Sequence, residues 1–169
     1  MKKQILSLLV LMGLIMTGTA LAVKPVGPSA VNGLTKGNSS VQHLYLYEKD
    51  PVTWEIIEEG AWGKLTCGKQ GFVATAHGLE PGTDYALIVY DPDVWSGQGP
   101  ILAEGTANKG GNIQLSGEMI ALTDAKIWLV LRDDVDENGV MIAWNPTEYL
   151  FEYNLVSCIG SEDDEVVPN

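Results

Sequence analysis

Apolar and polar positions alternate in short runs along most of this chain, with glycine-rich breaks between them. Over residues 41–47, Leu44 and Leu46 fall on one side and Tyr45 and Tyr47 on the other, the period of two that marks a half-buried strand. Further runs lie at 62–67, 72–77, 85–90, 101–107, 112–117, 126–132 and 149–156. Gly68–Gly71 separates the second run from the third. Asn108-Lys109-Gly110-Gly111 separates the fifth from the sixth, and residues of these types supply the backbone that a tight hairpin needs. No window carries a capped helical period, and 116–123 has room for one helical turn only. Seven to eight short strands with turn signals between them predict an all-β fold, an antiparallel β-sandwich or a barrel. Alternation assigns its core to Leu44, Leu46, Leu65, Phe72, Leu87, Val89, Ile127, Leu129, Leu131, Phe151 and Leu155. Where a register is off by one residue, their neighbours take over.

The two ends break this pattern. Lys2 and Lys3 precede an apolar stretch, Ile5 to Met16, and Ala20-Leu21-Ala22 follows, so residues 1–22 read as an export signal. The apolar stretch falls short of the ~20 residues that span a bilayer, so no membrane span is expected after processing. Residues 23–40, with Pro25, Pro28 and small polar side chains, read as a flexible leader. Residues 41–159 form one β-sandwich domain, and 160–169, with acids at 162–165, an acidic disordered tail. Asn38-Ser39-Ser40 fits the N-glycosylation acceptor pattern.

Charge narrows the partners. The 169 residues hold ten lysines and arginines against 22 acids, a net charge of −12, and loss of Lys2 and Lys3 with the signal makes it −14. Such a surface repels nucleic acid and anionic lipid, and it suits a secreted or cell-surface protein. Cys67 and Cys158 are the only cysteines. An even count in an exported chain permits one disulfide; the alternative is two buried thiols acting as small apolar side chains.

Candidate chemistry is sparse. Asp134-Val135-Asp136-Glu137-Asn138-Gly139 matches the start of a D-x-D-x-N-G calcium loop, in which alternate oxygens of Asp134, Asp136 and Asn138 converge on a hard cation. It departs from that loop at its twelfth position, which is Asn145 rather than a glutamate, and its flanks read as strands. The competing reading is a polar hairpin turned by Asn138-Gly139. Asp91-Pro92-Asp93-Val94-Trp95 follows the 85–90 run and reads as a proline-set turn, with two carboxylates and an indole within reach of a sugar or cation.

There are five tryptophans. Trp128 sits inside an apolar run and is expected in the core. Trp54, Trp62, Trp95 and Trp144 fall at loop or strand ends, where indoles either plug the open ends of a sandwich or form a protein interface or a glycan platform. His43 and His77 lack the spacing of a zinc site. No G-x-S-x-G, P-loop or Rossmann fingerprint occurs. A glycosidase built on Glu58-Glu59, Asp91/Asp93 or Asp133-Asp134 would depend on the fold bringing two carboxylates to about 5 Å.

Leu79-Glu80-Pro81-Gly82-Thr83-Asp84-Tyr85 runs straight into an apolar strand. This corner resembles that of fibronectin III-like and immunoglobulin-like domains, where a tyrosine hydroxyl bonds back to upstream backbone as the chain changes sheets. The resemblance implies a Greek-key sandwich. A wider set comprises Leu44–Pro51, Gly78–Tyr85, Lys126–Leu131 and Trp144–Tyr153. It resembles small exported proteins of methanogenic archaea and environmental relatives, which implies a secreted single domain and carries over no catalytic or ligand residue.

The first expectation for function is a non-catalytic secreted or cell-surface module that contacts other cell-surface proteins or itself, with the leader donating a strand to a neighbour's sheet edge. The second is a glycan- or calcium-binding module, which would make calcium the one cofactor. The third is a small secreted hydrolase.

Overall fold

In this computed structural model, residues 42–68, 71–90, 99–118 and 120–158 are described. The expected signal, leader, Asn38, acidic tail and Asp91–Trp95 loop lie outside them. The described residues form nine strands in two antiparallel sheets and no α-helix. The strands are β1 (Gln42–Tyr47), β2 (Trp62–Gly68), β3 (Gly71–His77), β4 (Asp84–Tyr90), β5 (Ile101–Thr106), β6 (Ile113–Gly117), β7 (Leu122–Leu131), β8 (Phe151–Glu152) and β9 (Val156–Cys158).

The first sheet runs β6-β3-β2-β1-β8 and the second β5-β4-β7-β9. In the first, β1 and β2 place Leu44 opposite Leu65, so one face of the pair is apolar. Leu44, Leu46, Leu65, Cys67, Phe72 and Ala74 meet Tyr85, Leu87, Ile127 and Leu129 of the second sheet and form the main core. The 79–85 corner carries the chain from β3 to β4, from one sheet to the other. Tyr85 is buried there, and its hydroxyl accepts the Glu80 N–H at 3.3 Å.

The second sheet is buried on both faces. Residues of β4 and β7 that point away from the main core (Ala86, Ile88, Trp128 and Val130) pack under Val135, Tyr149 and Phe151. This explains why 86–89 and 127–131 are unbroken apolar runs, since two covered faces leave no polar positions to alternate. The cover is the long segment 132–151, which crosses that outer face. Leu150 bridges to Leu129 in the second sheet, and the next two residues, β8, pair with β1 in the first. The two sheets are thus joined along this edge.

Cys67 of β2 and Cys158 of β9 form a disulfide across the sandwich, with Cα atoms 6.0 Å apart. The run at 149–156 does not form one strand. It splits into β8 and β9 with a bend at Tyr153-Asn154. The bend shifts the alternation by one, so Leu155, expected in the core, is 44% exposed and Val156 is buried in its place. Val89 and Leu131 are only partly buried against the core. Of the stretch 116–123, allowed one helical turn, the described residues carry none: β6 reaches Gly117 and β7 begins at Leu122.

Candidate functional site

A concave, aromatic-lined feature among the described residues lies where the cover over the second sheet stops. Register builds its floor. Tyr90 of β4 pairs with Lys126 of β7, and Ile88 with Trp128. Residues two apart share a face, so Tyr90, Lys126 and Trp128 all point outward. The rings of Tyr90 and Trp128 stack with centroids 3.6 Å apart, and the Lys126 ammonium lies 5.9 Å from the Tyr90 centroid. Diagonal pairs of this kind are within reach of large side chains across a ladder.

Phe151, on β8, is the hub of the walls. Its ring meets Trp128 edge-on at 5.1 Å and Trp54 at 5.2 Å, with Trp144 at 6.2 Å. Trp54 and Trp144 are 6.4 Å apart with planes tilted by 41°. They remain 48% and 50% exposed, so each offers ring surface to solvent. Lys49 and Glu152 complete the rim of a cleft of about 450 Å³, within the range of about 300–1,000 Å³ typical of small-ligand sites.

Each wall is held by its own local device. Trp54 sits in a turn with φ of 60°, a left-handed conformation that costs energy for an indole-bearing residue. The turn is clamped by the Asp50 carboxylate, which accepts the Val52 and Thr53 N–H groups at 2.8 Å each, while the Trp54 N–H donates to the Asp50 carbonyl. Those bonds to the charged form hold the Asp50 carboxyl below its ordinary pKa.

Trp144 is held by a buried carboxylate. Asp134 is 5% exposed. It accepts the Tyr149 hydroxyl at 2.5 Å and the Asn145 amide at 2.8 and 3.0 Å, while its carbonyl takes the Ile142 N–H. The Tyr149 oxygen in turn accepts the Asn145 N–H at 3.0 Å. Burial and this bond to Asp134 push the Tyr149 phenol well above its usual pKa.

Two members of the expected calcium triad, Asp134 and Asp136, make separate protein contacts. Asp134 points inward to Tyr149 and Asn145. Asp136 accepts the N–H groups of Asn138 and Val140 and closes its own turn, in which Gly139 has φ of 78°. No group of three acidic, histidine or cysteine side chains suited to a metal is found among the described residues.

Of the four tryptophans singled out at loop or strand ends, the structure brings Trp54 and Trp144 together. Trp62 is not in the cleft lining and lies on β2 beside His77, ring centroids 4.8 Å apart. Trp95 is outside the described residues. Trp128 is buried, as expected of a core residue, yet its ring also floors the cleft. Tyr90, Lys126, Lys49, Phe151 and Glu152 were not anticipated as site residues. The even-numbered positions of 86–90 and 126–130 carried the missing signal, since they form a second face opposite the core leucines. Compared with known proteins, the chain matches no family model, no curated protein and no solved structure.

Proposed function

We propose that this chain is an exported, non-catalytic binding module whose working surface is the aromatic cleft, and that the cleft holds a carbohydrate. The observation that carries this reading is the pair Trp54 and Trp144, half-exposed and tilted toward each other above Phe151 and Trp128. Indole faces stack on the C–H faces of pyranose rings, and a cleft of this size suits a small ligand. Export accords with the apolar segment that follows Lys2 and Lys3, and with a disulfide, a bond that persists in oxidising surroundings. A non-catalytic role accords with a lining that holds one carboxylate among the described residues, Glu152, whose Oε2 is engaged by the Trp128 indole N–H. A retaining glycosidase needs two carboxyl groups.

The sandwich is read as a Greek key. The support is that β7 returns beside β4 after β5 and β6, which lie at the edges of opposite sheets. The resemblance to immunoglobulin-like domains extends to the tyrosine corner and not to β3, which stays beside β2 where the immunoglobulin order moves its third strand to the other sheet.

A glycan array probed with the wild-type protein and with Trp144→Ala tests the cleft. Binding that Trp144→Ala abolishes supports it; silence of the wild type across the array contradicts it. The protein-contact reading also has a specific observation in its favour. Val52 and Ile142, two residues before Trp54 and Trp144 in the chain, are 85% and 64% exposed apolar side chains. Under that reading the protein self-associates or is retained on cells, and Val52→Asp with Ile142→Asp releases it.

A further inference from the structure

Resting on the carbohydrate reading, we propose that the cleft selects an anionic saccharide, a pyranose carrying a carboxylate or sulfate, with Lys49 and Lys126 as the groups that recognise the charge. Cations are scarce in this chain, ten against 22 acids. Two of them, Lys49 and Lys126, line this one cleft.

Their placement is built. Lys126 is fixed by register opposite Tyr90, with its ammonium over that ring. Lys49 is anchored by a 2.9 Å bond from its Nζ to the Glu152 carbonyl, which leaves further N–H donors on the same nitrogen. Neither lysine is in an ion pair among the described residues. The nearby carboxylate of Glu152 is engaged by Trp128.

The two ammonium groups also act on each other. Burial pulls the Lys49 pKa down, the Glu152 carboxylate partly offsets this, and the Lys126 charge adds a smaller downward pull. An anion between them would relieve that repulsion, and charge-assisted hydrogen bonds to a carboxylate or sulfate are the stronger kind. A neutral sugar would offer neither ammonium a counter-charge. The acidic surface elsewhere repels anions, so binding charge here would favour anionic ligands that also have ring faces to stack. A protein partner would need roughly 800 Å² of matching surface on each side, whereas a short saccharide fits within a cleft of this volume.

The test is calorimetric titration of the intact protein with three probes: an oligogalacturonate, its carboxyl-reduced neutral counterpart, and a sulfated galactan oligosaccharide. The two acidic probes separate carboxylate from sulfate recognition. The variants are Lys126→Met, Lys49→Met and Trp144→Ala; methionine keeps the apolar stem of each lysine and removes the charge. The proposal expects at least one acidic probe to bind about tenfold or more tightly than the neutral one, and either lysine variant to lose that margin. Thermal melts of the variants separate lost binding from lost folding. Equal binding of acidic and neutral probes, sensitive to Trp144→Ala, overturns the charge selection and leaves the carbohydrate cleft standing. Acidic binding that ignores Trp144→Ala overturns both, because charge alone would then hold the ligand. Failure of both acidic probes to bind overturns the proposal.

Discussion

At the scale of single residues, the buried Asp134 organises more of this molecule than its sequence position suggests. Its carboxylate gathers Tyr149 and Asn145, and its carbonyl gathers the chain just before Trp144. Tyr149→Phe removes one donor to a buried charge, which costs about 1.5–3 kcal/mol, measured by denaturant titration. The same bond sets a pH dependence. The Tyr149 phenol titrates higher in the folded protein than in the unfolded chain, where its pKa is about 10. Above that pH the unfolded chain loses its proton first, so stability falls as pH rises through the folded value. The slope is shallower in Tyr149→Phe and does not vanish, since the phenols of Tyr47 and Tyr85 are also raised by burial. At the corner, Tyr85→Phe loses one ordinary hydrogen bond, about 0.5–1.5 kcal/mol, and leaves the cleft untouched; an unchanged denaturation midpoint would show that the corner bond contributes nothing. The acids at 134–138 were legible as a loop but not as this latch. Asp134 and Asp136 look alike in sequence, and what separates them is Tyr149, fifteen residues on, which meets only the first.

At the scale of elements, strand existence was legible and sheet membership was not. Alternation located β1, β2 and β3 within a residue or so, because each has one face in the core and one outside. It could not say that β4 and β7 are covered twice, since an unbroken apolar run also fits other buried elements. Nor could it see the break between β8 and β9. That break comes from the sheets: Leu150 is held to β7 and Phe151 to β1, so the chain must bend before Val156 can rejoin β7. β9, three residues long, is tied to β2 by the Cys67–Cys158 disulfide, which closes a separation of 91 residues. The chain-entropy account gives such a loop about 4 to 5 kcal/mol. Cys158→Ser, or reduction, is expected to lower stability by about 4 kcal/mol, with β9 the first strand to lose amide-exchange protection. A reduced protein as stable as the oxidised one would contradict that placement.

At the scale of the whole molecule, the cleft exists because three distant stretches meet at one edge of the sandwich. The 50–55 turn brings Trp54, the 132–151 segment brings Trp144 and Phe151, and the outer face of β4 and β7 brings Tyr90, Lys126 and Trp128. In sequence, Trp54 and Trp144 fall at loop or strand ends, as plugs of the sandwich or as an interface or glycan platform. The sequence could not pair them, because nothing local relates positions 90 residues apart. It grouped them with Trp62, which the fold sends elsewhere. Position-specific NMR of the indole N–H signals during titration with an acidic oligosaccharide therefore tests the central claim most directly. The account predicts that the signals of Trp54, Trp128 and Trp144 shift together with one saturation curve, while that of Trp62 stays in place. Shifts confined to Trp62, or none at Trp54, Trp128 and Trp144 at saturating ligand, would contradict it.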